Sequence, residues 1–340
     1  MDGEVSHRFQ LLKKLKKAMA PKYSVDKAPA KYDDYEFNVS EKFKKIAKEE
    51  LGEDEQKRSQ ALAQFREWIA KHPHIRACRT DAVFLLRFLR PKKFSVPQAC
   101  ELLEQYLIYR QQFPEWFTKL DPNDPEMAEL VDAGFSLPLM ERDDQGRRVF
   151  LTCIENFDAN KYSVKDMIRL HALVVEAALD DEESQIAGFH HFYDARGFSM
   201  KHVAMWSLVD LNNFLRKAQF VAPMRHRAVT LMLSMAHKII EFALSLLTEK
   251  IKARVKVCKT NDEAKEYVDV KLLPEEYGGK VPLRVMIDQF KEQLQEKREA
   301  ILALDEMSID ITKYSDKWAN SNILENDESV IGSFRKLQVD

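Results

Sequence analysis

The stretch from about residue 126 to residue 280 constrains the fold most, because short β-prone runs alternate there with helical patterns. The β-prone runs lie at 148–153, 186–194, 227–233 and 254–258, and helical patterns separate them at about 163–180, 200–218 and 237–247. Strands separated by helices imply βαβ crossovers, which require a largely parallel sheet with helices on its faces. We therefore predict an α/β fold for this part of the chain.

Helical patterns precede this region from about residue 59 to residue 125. Thr80 is predicted to cap one helix, which Pro91 ends, and Ser95 is predicted to cap the next. Inside the α/β region, Ser163 and Asp166 have the spacing of a capping box, with Asp in place of the usual Glu. These signals predict a helical bundle followed by a mostly parallel sheet that helices flank.

The chain divides into four predicted segments. Residues 1–58 are an N-terminal extension with a basic amphipathic helix and a linker, 59–125 a helical domain, 126–280 the α/β domain, and 281–340 a C-terminal helix and polar tail. In the extension, four apolar residues recur at helical spacing among lysines, namely Phe9, Leu12, Leu15 and Met19. That pattern fits a helix that lies on a membrane, and it also fits a surface helix packed on its own domain.

Bulk properties exclude several classes of protein. The net charge is −2, so attraction to phosphate or to anionic lipid requires a local basic patch. The four cysteines form no Cys-x-x-Cys pair, which favours free thiols in a reducing compartment. No apolar run approaches the roughly 18 residues of a membrane span, and the acidic N-terminus is unlike a signal peptide. We expect a cytoplasmic monomer.

Motifs for catalysis and for nucleic-acid binding are absent from the sequence. It contains no P-loop, no Gly-x-Gly-x-x-Gly and no Gly-x-Ser-x-Gly. His190 and His191 are adjacent in a predicted strand and therefore face opposite sides, which disfavours a shared metal. We predict no enzyme activity, no cofactor, no metal site and no nucleic-acid partner.

Five ordered sequence stretches resemble the CRAL-TRIO family of lipid carriers. They are FLLRFLR at 84–90, DQGRRVF at 144–150, FYDARGF at 192–198, LTEKIKAR at 247–254 and LPEEYGG at 273–279. Two departures from the family wording are Arg196, where an acidic residue is common, and the stretch from 228 to 247. The resemblance implies a CRAL-TRIO helical domain at 59–125 and a CRAL-TRIO lipid-binding domain at 126–280.

That resemblance also implies a function. We expect an intracellular carrier that binds one hydrophobic lipid, such as a tocopherol, a retinoid or a carotenoid-like molecule, and transfers it during transient membrane association. An alternative is a phosphoinositide-sensing regulatory or adaptor protein that transfers no cargo. A weaker alternative is an enzyme that acts on the bound lipid, for which the sequence offers no nucleophile and base pair.

Candidate pocket residues come from helical and strand periodicity. Ile168, His171 and Val175 share one side of a predicted helix, and Phe189, His191 and Tyr193 share one face of a predicted strand. The family resemblance adds Phe198, Leu215, Met224 and Val229. Each of these residues also fits an ordinary core position. A neutral His171 could bond a ligand hydroxyl or carbonyl, or it could be a satisfied core histidine.

Two further candidate sites concern membranes. A broad apolar face with Ile239, Phe242, Ala243 and Leu246 fits a packed helix, and the resemblance favours a lid over the pocket. Among basic residues, Arg225 and Arg227 point the same way if extended, and Lys250 and Arg254 share a helical face. The resemblance implies that Lys92, Arg225, Lys250 and Arg254 hold a phosphoinositide headgroup, whereas a solvated charged surface is the ordinary alternative.

Overall fold

The computed structural model describes residues 23–233, 244–245 and 247–314. Its N-terminal part is a set of helices around a core that includes Phe65, Phe84 and Phe88. The elements of this part are α1 (Glu41–Ile46, continued by a π-helical turn at Ala47–Leu51), α2 (Glu55–Lys71), β1 (Ile75–Ala77), α3 (Ala82–Leu89), α4 (Val96–Gln112), α5 (Pro114–Phe117) and α6 (Pro125–Asp132).

A five-stranded sheet follows, with the strand order β2-β3-β4-β5-β6. β2 and β3 are antiparallel, whereas β3 to β6 are parallel to one another. The strands are β2 (Ser136–Arg142), β3 (Arg148–Cys153), β4 (Phe189–Asp194), β5 (His226–Met232) and β6 (Val255–Cys258). The predicted α/β class with a mostly parallel sheet is confirmed. Sequence patterns did not reveal β2, because its Pro138 argues against a strand; β2 is an edge strand, where proline is tolerated.

Helices connect the parallel strands. α7 begins at a complete capping box, in which the Ser163 hydroxyl accepts from the backbone N–H of Asp166 and the Asp166 carboxylate accepts from the backbone N–H of Ser163. The elements after β3 are α7 (Val164–Leu179), α8 (Glu182–Ala187), α9 (Met200–Ala204), α10 (Leu208–Leu211, continued by a π-helical turn at Asn212–Lys217), α11 (Ala218–Val221), α12 (Glu249–Lys252), α13 (Asn261–Ala264), α14 (Leu283–Leu302) and β7 (Ser308–Ile309).

Several predicted boundaries are wrong for local reasons. The helix predicted to start at Thr80 is capped instead by Asp81, whose carboxylate accepts from the backbone N–H of Phe84 at 3.1 Å. The helix predicted over 200–218 is interrupted, because Ser207 forms a new cap by accepting from the backbone N–H of Asp210 at 3.0 Å. Both polar side chains satisfy helix N–H groups that have no partner inside the helix.

The start of the second predicted strand also moves. Residues expected to begin β4 at 186 belong to α8, and the strand begins at Phe189. Gly188 separates the two elements with φ +89°, in the left-handed region that disfavours other residues. A Cβ at Gly188 would lie 2.6 Å from the backbone oxygen of Arg225, so only glycine allows this close approach.

Both described ends of the chain pack onto the main body. Phe43 and Ala47 of α1 are buried against Ile186 and Ala187. At the other end, β7 pairs antiparallel with β1, so that residues after α14 return to the core of the N-terminal helices. Within the described ranges, no helix has both the length and the hydropathy needed to cross a bilayer.

Candidate functional site

A cavity of about 430 Å³ lies against one face of the sheet. Strand residues at odd positions of β4 and β5 form its floor, among them Tyr193, Val229 and Leu231. α7 and the chain around α11 form its walls, and Tyr106 and Tyr109 of α4 reach it from the N-terminal helices. The opposite face of the sheet is covered by the 270–277 segment, where the rings of Phe192 and Tyr277 lie 6.0 Å apart. Within the part of the chain that the structure describes, the cavity therefore lies on one side of the sheet only.

Eight of the ten predicted pocket residues have side chains on the cavity wall. They are Ile168, His171, Val175, His191, Tyr193, Phe198, Met224 and Val229. Phe189 shares the face of Tyr193 but does not line the cavity. It is the first residue of β4, and its ring stacks on Phe150 at a centroid distance of 5.4 Å. Phe189 is therefore a core residue, which corrects its assignment to the pocket.

Several other predicted residues lie outside the described part of the structure. The side chain of Leu215 lies outside the described part of the structure, as do the lid residues Ile239, Phe242, Ala243 and Leu246. The predicted basic helix at Phe9–Met19 and the polar tail beyond residue 314 also lie outside the described ranges. Leu244 and Leu247, which are described, contribute to the cavity wall.

Three histidines from three elements meet in this cavity. His171 comes from α7, His191 from β4 and His226 from β5. Nε2 of His191 lies 3.1 Å from Nδ1 of His226, so one imidazole donates a hydrogen bond to the other. The Nε2 atom of His226 is buried and has no hydrogen-bond partner among the described residues. We refer to these three residues as the histidine cluster.

Burial keeps the histidine cluster neutral. Desolvation lowers the pKa of His171 to about 4, and desolvation together with the nearby His171 lowers the pKa of His226 to about 4. The pKa of His191 is lowered well below its usual value by burial and by both neighbours. Neutral imidazoles carry one donor and one acceptor nitrogen each, so the cluster can bond an uncharged polar group.

Two further polar groups on the wall have no hydrogen-bond partner among the described residues. His171 forms no hydrogen bond with any described residue, and its ring meets Phe214 edge-on at 5.5 Å. The Tyr193 hydroxyl is likewise unpaired within the described ranges, and burial raises its pKa to about 12. An unpaired polar group in an apolar cavity costs free energy, which a ligand can recover by supplying a hydrogen bond.

Sequence reasoning missed His226, and the reason is a β-bulge. Phe189 of β4 pairs with His226, but the next residue, His190, pairs with Ala228. Arg227 is therefore an extra residue in β5, and the bulge brings His226 to the cavity together with Val229. Strict alternation along the strand would place His226 and Val229 on opposite faces. No signal in the sequence marks this bulge.

Two of the predicted basic residues contact one carboxylate, that of Glu50. Arg225 Nη2 lies 2.5 Å from Glu50 Oε2, and Arg227 Nη1 lies 3.1 Å from the same oxygen. Arg254 donates from Nη1 to the backbone oxygen of His226. Burial and the charge of Arg227 lower the pKa of Arg254, which places the guanidinium groups near one another. Glu50 was not a predicted site residue, because it precedes the regions that carried the motifs.

The other two predicted basic residues are less directly connected. Lys250 lies on α12, is exposed, and is near enough to His226 that its charge contributes to the lowered pKa of that histidine. Lys92 lies in the turn after α3 and is partly buried. Its side chain forms no hydrogen bond or ion pair with Glu50 in the described structure. Lys92 thus remains a candidate by sequence resemblance alone.

No group of three or more His, Cys, Asp or Glu among the described residues, the histidine cluster included, is arranged to hold a metal ion. All four cysteines are buried, and desolvation raises the pKa of the Cys153 thiol to about 12 and that of Cys258 to about 11. The site as described can hold an apolar molecule, hydrogen-bond an uncharged polar group, and attract an anion at the nearby arginines.

Comparison with known proteins places the chain in a family. A model of the CRAL/TRIO domain matches residues 133–279, and a model described as Pinta-like, UBA domain, matches residues 54–127. Clavesin-1 from Xenopus laevis is 31% identical over 236 residues, which are 68% of this chain and 71% of that protein. This chain belongs to the CRAL/TRIO family. The resemblance carried by the five sequence stretches is thereby confirmed, and the family binds hydrophobic lipids.

A second relative agrees with the CRAL/TRIO assignment. Clavesin-2 from Homo sapiens is 29% identical over 239 residues, which are 69% of this chain and 73% of that protein. The crystal structure of Sfh5 aligns with 77% of this chain at 12% identity and a TM-score of 0.40, which is too low to add to the assignment.

The two matched ranges contain different residues of the candidate site. The CRAL/TRIO range of 133–279 contains the histidine cluster and the three arginines, and Lys92 lies within the range of the second domain. Glu50 precedes both ranges. The carboxylate that contacts Arg225 and Arg227 is therefore a feature of this chain outside the matched family domains.

Proposed function

We propose that this chain is a carrier that holds one hydrophobic lipid in the cavity and releases it at membranes that carry phosphoinositides. The observation that carries the proposal is the cavity of about 430 Å³, whose wall is almost entirely apolar apart from the histidine cluster and a few polar groups. Pockets for small molecules measure about 300–1,000 Å³ and combine an apolar wall with a few polar groups. Each methylene that the cavity shields from water contributes about 0.8 kcal/mol.

The polar groups on the wall favour cargo with an uncharged polar end. The neutral imidazole of His171 and the hydroxyl of Tyr193, which bonds to no described residue, can each bond a hydroxyl or a carbonyl. A charged headgroup would be costly in this position, because the surrounding wall is apolar. Tocopherols and retinoids have one such polar end, as do hydroxylated carotenoids, and these are the cargo classes that we propose.

The cargo proposal is tested by identifying what the purified protein contains. We expect organic extraction and native mass spectrometry to find one apolar molecule per chain. Val175→Phe adds a ring to the cavity wall and should reduce the bound molecule strongly, whereas Val285→Phe, at an exposed position on α14, should not. An empty wild-type protein that still binds phosphoinositide vesicles would instead support the sensor alternative.

Membrane docking is the second part of the proposal. Lys92, Arg225, Arg227, Lys250 and Arg254 are its candidate residues, and the three arginines lie close together beside the cavity. Arginine can hold phosphate oxygens through two parallel hydrogen bonds. A basic residue near an anionic membrane surface contributes about 1 kcal/mol, so this group is strong enough to orient docking without anchoring the protein.

Docking is tested with a charge-matched pair of double variants. Lys250→Ala with Arg254→Ala should slow cargo transfer to phosphoinositide vesicles and leave cargo affinity in solution nearly unchanged. Lys271→Ala with Lys280→Ala removes the same charge from exposed positions and should transfer normally. Equal transfer by both double variants and the wild type would rule out the basic site.

A further inference from the structure

Glu50 lies between two arginines of the proposed docking site. Its Oε2 atom lies 2.5 Å from Arg225 Nη2 and 3.1 Å from Arg227 Nη1, and its Oε1 atom lies 3.4 Å from Arg227 Nη2. Three guanidinium nitrogens thus converge on one carboxylate, as they would on the oxygens of a phosphate. A headgroup phosphate can reach these nitrogens only after the Glu50 carboxylate has left them.

Glu50 is the partner in this contact that is free to move. Its side chain is 38% exposed, whereas the side chain of Arg225 is 9% exposed. Ala47 and Leu51, which lie in the same π-helical turn as Glu50, are buried and hold the backbone of the turn in place. Release of the arginines therefore needs rotation of the Glu50 side chain into solvent and no movement of a helix or strand.

Both arginines have supports other than Glu50. Arg225 also donates from Nη1 to the backbone oxygen of Ile186. Arg227 is the extra residue of the bulge in β5, whose neighbours on both sides pair with β4. The two guanidinium groups are therefore expected to stay near one another when the carboxylate leaves, so that Glu50 is not needed to form the site.

The carboxylate does not cancel the positive charge of the site. Arg254 donates to the backbone oxygen of His226 and forms no ion pair with a described residue. Its charge and that of Arg227 act on Arg225, and together with burial they lower the pKa of Arg225 despite the opposing effect of Glu50. Three guanidinium groups thus share one carboxylate, and an anion is still attracted to the site while Glu50 occupies it.

We propose that Glu50 is an autoinhibitory residue, which competes with anionic lipid headgroups for Arg225 and Arg227 and so weakens docking. This inference rests on the proposed docking function. Only molecules in which Glu50 has rotated away can bind a headgroup through both arginines, so the observed affinity is the affinity of that open state multiplied by its population. A residue that merely supported the arginines would have the opposite effect, because its loss would weaken binding.

The test measures binding of the full-length protein to vesicles by co-sedimentation. The vesicles are phosphatidylcholine alone or phosphatidylcholine with phosphatidylinositol 4-phosphate. Glu50→Gln removes the competing charge and keeps the size of the side chain. It should bind the phosphatidylinositol 4-phosphate vesicles roughly fivefold more tightly than wild-type protein, which corresponds to about 1 kcal/mol. Binding to phosphatidylcholine alone should not change.

Glu49→Gln is the matched control, because it makes the same change of net charge at the neighbouring exposed residue, which contacts Lys45 at 3.9 Å. It should bind as wild-type protein does. Glu50→Ala removes the carboxylate with a different side chain and should gain affinity as Glu50→Gln does. Unchanged or weaker binding by both Glu50 variants would overturn the inference, and so would an equal gain in Glu49→Gln.

Failure of this inference is distinguishable from failure of the docking proposal. If neither wild-type protein nor either Glu50 variant prefers the phosphatidylinositol 4-phosphate vesicles to phosphatidylcholine alone, the docking proposal fails. If wild-type protein has that preference, Lys250→Ala with Arg254→Ala reduces it, and the Glu50 variants bind no more tightly than wild type, docking stands and the competition by Glu50 is refuted.

Discussion

At the scale of single residues, the buried histidine cluster makes the free energy of unfolding depend on pH. An unfolded histidine binds a proton below about pH 6.5, whereas His171 in the folded chain stays neutral until about pH 4. Between these values the unfolded state binds more protons than the folded state. The free energy of unfolding therefore falls as pH falls through this window.

Replacing His171 should weaken that pH dependence. The free energy of unfolding of wild-type protein should fall between pH 6.5 and pH 4. In His171→Leu the slope of this fall should be smaller by up to about 1.4 kcal/mol per pH unit, because one buried titrating group is removed. Urea unfolding at several pH values measures this slope. A variant with the wild-type slope would show that His171 does not remain neutral in the folded protein.

Arg196 stands where an acidic residue is common in the family, and its contacts in the structure explain this difference. Its guanidinium contacts both carboxylate oxygens of Asp194, at 2.9 Å and 2.6 Å. The Tyr277 hydroxyl donates to the same carboxylate at 2.7 Å, and the Cys153 thiol lies 3.0 Å from that hydroxyl. Arginine at this position thus neutralises a buried acid at the end of β4.

At the scale of elements, the junction between α8 and β4 positions the basic site. Gly188 has φ +89°, and a Cβ there would lie within 3.1 Å of Arg225 and Arg227 atoms. The bulge at Arg227 lies directly opposite this junction. Together they allow both arginines to pack beside the start of β4 and to reach Glu50.

Gly188→Ala should therefore be costly. We expect a loss of more than about 1 kcal/mol of stability, because the left-handed conformation and the collision with the Arg225 backbone act together. Gly278→Ala is the control: its φ is +91°, but the nearest atom to its Cβ is Val270 Cγ2 at an ordinary 3.5 Å. Chemical denaturation should rank Gly188→Ala as the less stable variant, and the reverse order would contradict this account.

The elements that sequence predicted well are those with strong local signals. The Ser163 capping box and the repeat at Ile168, His171 and Val175 together defined α7 and the face that it turns to the cavity. β5 was found, but its bulge was not, since bulges depend on pairing with β4 rather than on local composition. His226 was missed for this reason.

At the scale of the whole molecule, a buried ionic network joins the N-terminal helices to α7. Glu176 of α7 accepts hydrogen bonds from Arg87 at 2.8 Å, from Tyr106 at 2.6 Å and from Arg110 at 3.4 Å. Arg87 also contacts Asp180, which in turn contacts Arg79. α3, α4 and the loop before α3 thereby hold one wall of the cavity in place.

Replacing Glu176 should lower the free energy of unfolding of the whole protein. Glu176→Ala leaves Arg87 and Arg110 without their shared carboxylate in a buried position, and we expect a loss of about 3–5 kcal/mol. Asp288→Ala removes a carboxylate that pairs with Arg284 at the surface and should change stability little. Equal effects of the two substitutions in a thermal or urea melt would contradict a structural role for the network.

The motif stretches of the sequence predicted the family, and its local patterns predicted the α/β class and the cavity-facing side of α7, because periodicity and capping are properties of neighbouring residues in the chain. The tertiary structure decided what no local pattern encodes. It brought His171, His191 and His226 together from three elements, and moved Phe189 out of the cavity wall. It also placed Glu50 between Arg225 and Arg227. Contacts across about 175 residues depend on the packing of whole elements, so charge pairing of this kind appears only in the folded chain.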